Sequence, residues 1–267
     1  MVDTGGQVPA LNVQTQPLDS IRPLVPLVDP RNPLVFSRRG QGIAGVGEAL
    51  RLEFSGPNRM VDAASVWKRV AAAATVDDPL ALPGTGLVAF GAFSFSDTSA
   101  ATSVLIVPSV VIGRRDGISW ITRISVKADA AVADPAAATA PLLSTPIGAE
   151  YRISLRPGTL DPAGYLGAVN SAVGRIRAGE VSKVVLARDL VGHLPAGADL
   201  RLVVAELSLG YPDCWTFAVD GLIGSSPETL VRADHGTVSA RVLAGSTDRG
   251  ADALADQEAA VALATST

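Results

Sequence analysis

Cysteine is almost absent from this chain of 267 residues, in which Cys214 is the single thiol. A lone cysteine excludes an intramolecular disulfide framework. No histidine lies near Cys214 in sequence, so nothing indicates that its thiol is a nucleophile. Histidine is equally scarce, because only His193 and His235 occur, and they lack the spacing of a metal-ligand pair. The sequence therefore offers no disulfide scaffold, no evident cysteine–histidine catalyst and no histidine metal motif.

Long hydrophobic runs are also absent, since glycine or proline interrupts each apolar stretch, and we expect no transmembrane helix. Residues 1–20 are polar and lack a basic segment followed by an apolar one, so we expect no signal peptide. The net charge of −4 disfavours nucleic acid as a partner. We therefore expect a cytoplasmic protein that binds neither membranes nor nucleic acid.

Apolar residues make up 48% of the chain and occur in short segments that predict an α+β fold. Residues 1–32, with several prolines, are predicted to be a flexible leader, and residues 33–267 a single domain. Helices are predicted over 61–74, 161–178 and 200–209. Strands are predicted over 34–36, 49–54, 87–95, 103–112, 118–126, 183–191, 215–219, 221–225, 229–233 and 237–243.

The helix over 161–178 has the most complete set of local signals. Asp161 can cap it, Pro162 suits its first turn, and Gly179 can end it. Four apolar residues at helical spacing are expected to face the core: Tyr165, Val169, Val173 and Ile176.

A glycine motif, Gly40-Gln-Gly-Ile-Ala-Gly45, matches the pattern of a dinucleotide-binding loop. Such a loop must open a helix, whereas the next segment, Glu48 to Phe54, alternates as a strand does. We therefore interpret the motif as a glycine-rich turn without a cofactor.

Two ionisable residues, Lys183 and Glu228, are the candidate catalytic pair. Lys183 opens an apolar segment that is typical of a buried strand, and desolvation there would favour the neutral amine, a proton acceptor. Glu228 follows a proline on a turn, where burial would keep its carboxyl protonated and able to donate. Each residue taken alone is more simply explained as a solvated surface charge.

A third motif, Leu243-Ala244-Gly245-Ser246, follows in the chain. It is either an ordinary turn or a loop in which Gly245 lets backbone N–H groups approach an anion and Ser246 adds a hydroxyl. The order of the three motifs is what favours a functional interpretation of all of them.

In that order, Lys183-Val-Val-Leu-Ala-Arg, Gly224-Ser-Ser-Pro-Glu-Thr-Leu-Val-Arg and Leu243-Ala-Gly-Ser-Thr-Asp-Arg-Gly resemble the chorismate-utilising enzymes, and within them the isochorismate synthases. The resemblance runs from about Pro33 to the chain end. It implies two facing, mostly antiparallel β-sheets flanked by helices, in a fold that is incomplete at its C-terminal end. It also implies an Mg²⁺-dependent isomerisation of chorismate to isochorismate for siderophore or menaquinone synthesis.

Residue roles follow from the resemblance, motif by motif. Lys183 matches the general base that activates a water for attack at ring C2, and Glu228 matches the general acid that protonates the departing C4 hydroxyl. The wall of the substrate site matches Leu243, Ala244, Gly245 and Ser246. The lysine differs from the glutamine typical of anthranilate synthases, and Ala244 stands where aminodeoxychorismate synthases have a nucleophilic lysine, so water is the expected nucleophile.

Two alternatives stay open. Salicylate synthases share the lysine and the glutamate and go on to eliminate pyruvate, and a truncated member of the family could bind a partner without catalysis. The family's Mg²⁺ ligands lie beyond the Leu-Ala-Gly motif in segments that do not occur here, so the metal ligands of this chain are unknown. We therefore expect an inactive fragment unless a companion C-terminal segment completes the site.

Overall fold

The computed structural model describes residues 8–20, 23–127, 144–234, 236–240 and 247–265. The strands are β1 (Leu11–Leu18), β2 (Leu34–Arg38), β3 (Gln41–Val46), β4 (Leu50–Phe54), β5 (Thr75–Asp77), β6 (Phe90–Ala92), β7 (Ser103–Val107), β8 (Val110–Arg115), β9 (Ile118–Val126), β10 (Leu155–Pro157), β11 (Leu190–Gly192), β12 (Trp215–Val219), β13 (Leu222–Ser226), β14 (Arg232–Asp234) and β15 (Thr237–Ser239). The helices are α1 (Arg59–Ala73), α2 (Pro162–Arg177), α3 (Arg201–Gly210) and α4 (Ala253–Ala264), with a short 3₁₀ turn at Val25–Leu27.

An eight-stranded sheet forms the centre of the described structure, in the order β13-β12-β2-β3-β8-β9-β1-β5. Its neighbouring strands are antiparallel except for β1 and β5. The β8–β9 connection is the two-residue turn Asp116-Gly117, in which both residues have positive φ, as a right-twisted hairpin requires. The hairpin predicted around this turn is confirmed.

The strand β1 lies inside this sheet and pairs with β9 along its whole length. Leu11 and Val13 are fully buried, and Thr15 bonds to Thr122 across the strands at 2.9 Å. The prediction of a flexible leader over residues 1–32 is therefore wrong for this segment. Alternate residues of β1 are buried once the strand pairs with β9. The polar residues and Pro17 obscure this period-two pattern in the sequence.

A second sheet, β4-β7-β6, packs against the first one. Buried residues of β4 and β7 share one cluster with β1 and with the inner face of α1, and β6 and β7 share another with β2 and β12. On α1, Ala63, Val66 and Val70 recur at helical spacing and face this core. The predicted α+β fold with two mostly antiparallel sheets flanked by helices is confirmed.

The helix α3 covers the other face of the large sheet through the fully buried Val204. Its first residue, Arg201, is almost entirely buried and donates hydrogen bonds to Asp199 at 2.6 Å, to Thr145 at 2.6 Å, and to the carbonyls of Pro26 and Pro146. The hydrogen bonds that Asp199 accepts, first of all from the Arg201 guanidinium and then from Gly148 N and Arg201 N, hold its pKa at about 2. One buried ion pair thus joins three separate chain segments.

The segment from β10 to β11 is only lightly packed. The helix α2 begins at its predicted cap, where the Asp161 carboxylate accepts from Gly164 N at 2.7 Å, yet none of its residues is buried. The expectation that Tyr165, Val169, Val173 and Ile176 face a core is therefore wrong. Helical spacing shows which residues share a face, but burial depends on whether another element covers it.

The strand predicted over residues 183–191 is also largely absent from the described structure. Only Leu190–Gly192 forms a strand, and it pairs with Leu155–Pro157 in a small separate sheet. Residues 183–189 have no regular structure, because the described chain offers no ladder partner to them. An apolar run becomes a strand only where a neighbouring strand can take its backbone hydrogen bonds.

Candidate functional site

Lys183 lies on the irregular segment between α2 and β11, and its side chain is exposed. Val185, two residues on, is 84% exposed. The segment is joined to α2 by a long hydrogen bond from the Tyr165 hydroxyl to the carbonyl of Leu186, at 3.4 Å. The burial that the sequence led us to expect at Lys183 is therefore wrong for this structure.

Glu228 stands on a turn that follows β13, as predicted, but it is exposed, so the burial expected at this residue is also wrong for this structure. Two hydrogen bonds attach this turn to the large sheet. Glu228 N donates to Ser226 Oγ at 3.2 Å, and Trp215 Nε1 donates to Thr229 Oγ1 at 3.0 Å. The sheet therefore determines the position of Glu228 much more firmly than α2 determines that of Lys183.

The two members of the candidate pair are not bonded to each other in the described structure. Across the described ranges, no ion pair joins the Lys183 ammonium to the Glu228 carboxylate. The predicted substrate wall, Leu243, Ala244, Gly245 and Ser246, lies outside the described residues. The structure thus places Glu228 beside the large sheet and Lys183 on an exposed segment.

A metal centre is not visible in the part of the chain that the structure describes. No group of three or more His, Cys, Asp or Glu side chains is placed there to hold an ion. The acids that follow the third motif have local roles instead: Asp252 caps α4 through Leu254 N and Ala255 N, and Asp256 accepts from Gly250 N. The described residues do not fit Mg²⁺, which needs several oxygen ligands in near-octahedral geometry.

The glycine motif belongs to a hairpin, as its following strand pattern indicates. Arg39 and Gly40 form the turn between β2 and β3 with positive φ, and the chain continues as β3 rather than as a helix. A Cβ on Gly42 would lie 2.7 Å from Ser37 Cα and still closer to the carbonyl of Phe36. The glycines therefore serve close backbone approach within a hairpin.

A cleft of about 510 Å³, absent from the sequence predictions, opens beside this hairpin. It is lined by four arginines and three large aromatic residues: Arg38, Arg39, Arg114, Arg115, Phe36, Trp120 and Trp215. The arginines come in two consecutive pairs at the turns β2–β3 and β8–β9. Each pair is visible in the sequence, but their meeting depends on β3 pairing with β8.

No helix within the described ranges has both the length and the apolar character that a bilayer crossing requires.

Comparison with known proteins identifies the family. The family model described as chorismate binding enzyme matches residues 7–267. The isochorismate synthase MenF of Bacillus subtilis is 34% identical over 95 residues, which cover 34% of this chain and 20% of that protein.

Two solved structures share the fold. MenF, the menaquinone-specific isochorismate synthase from Escherichia coli, superposes with a TM-score of 0.62 at 21% identity, over 98% of this chain and 62% of that chain. DhbC from Bacillus anthracis, provisionally assigned as a 2,3-dihydroxybenzoate-specific isochorismate synthase, has a TM-score of 0.55 at 22% identity, over 91% and 57%. The chain thus spans about three fifths of these solved chains. The resemblance found in the motifs is confirmed, and this chain belongs to the family of chorismate-binding enzymes.

Proposed function

We propose that this chain carries the acid and base of an isochorismate synthase, which converts chorismate to isochorismate. The observation that carries the proposal is the family match over residues 7–267, which contains Lys183 and Glu228 in their expected order. The similarity to MenF of Bacillus subtilis favours the isochorismate-forming branch of the family.

In the proposed reaction, Lys183 takes a proton from a water whose oxygen bonds to ring C2. Both ring double bonds shift by one position as the C4–oxygen bond breaks, and Glu228 protonates the departing hydroxyl, which leaves as water. One water enters and one leaves, so the substrate is isomerised without any redox change. The base and the acid exchange one proton each with the reacting oxygens.

The base must be neutral before it can accept that proton, and burial favours the neutral amine. Lys183 is exposed in the described structure. We therefore propose that a companion segment covers Lys183 when the site is complete. Val185 is 84% exposed and Leu230 is 83% exposed, each two residues from a member of the pair, and these are the apolar side chains that such a segment would cover.

Mg²⁺ dependence is part of the same proposal and is supported by the family resemblance. When bound, the ion would neutralise substrate carboxylate charge. Its ligands would have to come from outside the described residues, which contain no suitable cluster. The metal requirement is tested by chelation with EDTA followed by readdition of Mg²⁺.

The decisive assay incubates chorismate and Mg²⁺ with the 267-residue chain, alone and together with the part of the Escherichia coli MenF that the chain leaves uncovered. We expect isochorismate only when both polypeptides are present. Isochorismate from the chain alone would disprove the need for a companion segment. Salicylate with pyruvate would reassign the enzyme to the lyase branch, and no product in either mixture would contradict the catalytic proposal.

Residue roles are tested in the active mixture. Lys183→Ala and Glu228→Gln should each lower the rate by ~10²–10⁴-fold, the usual contribution of a positioned acid or base. Lys68→Ala, which removes an exposed lysine from α1, is the matched control and should keep the full rate. Rates within a few-fold of the unmodified chain for Lys183→Ala would show that another group activates the water.

A further inference from the structure

The arginine-lined cleft lies on the face of the large sheet opposite α3. Val35, Ala44 and Ile112 point to the α3 side, where they pack in one buried cluster with Val204. Side chains alternate along a strand, so their neighbours Phe36 and Ile43 point the other way, into the cleft. The cleft is therefore built on the strands of the sheet and not on a loop.

Positive charge is concentrated at this cleft although the chain as a whole has a net charge of −4. Four arginines line it, and no acidic residue does. Two of them have carboxylate partners at the rim: Arg39 bonds to Asp213 at 2.7 Å, and Arg115 lies 3.6 Å from Asp116. The Arg115–Asp116 pair is long and joins two solvent-exposed side chains, so it binds the guanidinium only weakly and leaves it able to bind another anion.

Arg38 is the least satisfied of the four. Its Nε is buried and has no hydrogen-bond partner in the described structure. Its guanidinium carbon lies 5.8 Å from the centre of the Trp215 ring, so the group is held over an aromatic face. A guanidinium presents five N–H donors in a planar fork that matches a carboxylate, and a buried donor without an acceptor is costly.

Flat aromatic surfaces form the rest of the wall. Phe36 and Trp215 are stacked, with ring centroids 4.7 Å apart and an interplanar angle of 20°. Trp120 is fully buried, and its Nε1 already donates to the carbonyl of Gly84 at 3.1 Å. The cleft therefore offers planar aromatic contacts together with the guanidinium of Arg38, whose Nε lacks an acceptor.

We propose that this cleft is a second ligand site, which takes a small planar carboxylate with an aromatic or unsaturated ring. A volume of about 510 Å³ suits one substituted ring. The ring stacks on the aromatic wall while the carboxylate accepts from Arg38 and Arg115. The site is separate from Lys183 and Glu228, neither of which lines the cleft, and it does not depend on the proposed isomerase activity.

The test is equilibrium binding of benzoate to the 267-residue chain, without Mg²⁺ or chorismate, followed by calorimetry and tryptophan fluorescence. Two of the three tryptophans, Trp120 and Trp215, line the cleft and report on its occupant. We expect saturable 1:1 binding of benzoate. Cyclohexanecarboxylate, which is not planar, and inorganic phosphate, which has no ring, should bind much more weakly.

Variants assign the binding to the cleft. Arg38→Leu and Arg115→Gln should each weaken benzoate binding about tenfold or more, as the loss of a charge-assisted hydrogen bond predicts. Arg177→Gln, which removes an exposed arginine from α2, is the matched control and should leave it unchanged. Arg38→Leu should lower the thermal midpoint only slightly, because the Nε has no hydrogen bond to lose and only the cation–π contact with Trp215 is removed; an arginine with a purely structural role would lower it strongly.

Three results would overturn the proposal. The first is no saturable benzoate binding to the folded chain. The second is binding of phosphate as tight as that of benzoate, which would show that the arginines attract anions in general and do not select a ring. The third is loss of benzoate binding in Lys183→Ala or Glu228→Gln, which would place the occupant at the proposed catalytic pair. If Arg38→Leu fails to fold, Arg115→Gln at the exposed rim still tests whether benzoate binds in the cleft or elsewhere. Circular dichroism checks that this variant is folded.

Discussion

Gly113 lies directly beneath the indole of Trp120, its cross-strand partner in the β8–β9 hairpin. A Cβ added at Gly113 would come within 2.8 Å of Trp120 Nε1 and still closer to the ring carbons Cζ2 and Cε2. The ring cannot move away easily, because it is fully buried and its Nε1 is bonded to Gly84 O. A single methyl group at residue 113 therefore has to displace a large rigid side chain or the strand itself.

We expect Gly113→Ala to lower the free energy of unfolding by about 1–3 kcal/mol, the usual cost of overpacking a tight core. Urea denaturation followed by circular dichroism and tryptophan fluorescence measures this change as a lower midpoint at an unchanged slope. The fluorescence of the native state should also change, because Trp120 is displaced.

Two comparisons isolate the steric cause. Gly167→Ala, in α2, adds a methyl group where no atom lies within 4 Å, and should leave stability unchanged or raise it by about 0.5–1 kcal/mol. In a Trp120→Leu background, the cost of Gly113→Ala should shrink, because the smaller side chain leaves room. A full penalty in that background, or no penalty in the native one, would refute the reasoning.

Two further predictions concern polar anchors of the fold. The pKa of Asp199 is held at about 2, first of all by the hydrogen bonds from Arg201, and lies below its ordinary value of 3.8. The carboxylate therefore adds on the order of 2 kcal/mol above pH 4, and this contribution is lost as the pH falls through 2. The gap in unfolding free energy between the native chain and Asp199→Asn should narrow between pH 6 and pH 2.5, and a constant gap would contradict this assignment. Asp161→Ala removes the cap of α2 and should destabilise that helix by about 1 kcal/mol, seen as faster hydrogen exchange at Gly164 N; unchanged exchange would exclude the cap.

Local signals in the sequence predicted local structure well. Asp116-Gly117 predicted its hairpin because few residues other than glycine, asparagine and aspartate accept positive φ at both turn positions. Asp161 and Pro162 predicted the start of α2 because capping involves only the first turn. These features depend on neighbours within a few residues, so the chain specifies them without its fold.

Burial and long-range pairing could not be predicted in the same way. Leu11 and Val13 are buried because β1 lies between β5 and β9 in the sheet. The polar, proline-containing sequence of this segment does not predict such a strand. Lys183 begins an apolar run, yet residues 183–189 form no strand and are mostly exposed, because no described strand pairs with them. The energy of such contacts comes from residues that are distant in sequence.

The sequence by itself determined the family through three ordered motifs, the hairpins through their turn residues, and the identity of the proposed acid and base. Only the tertiary structure decided that Arg38 and Arg115, 77 positions apart, share one cleft. The physical reason is register: β3 pairs with both β2 and β8, which brings two hairpin turns to the same end of the sheet and places their arginines around one aromatic wall.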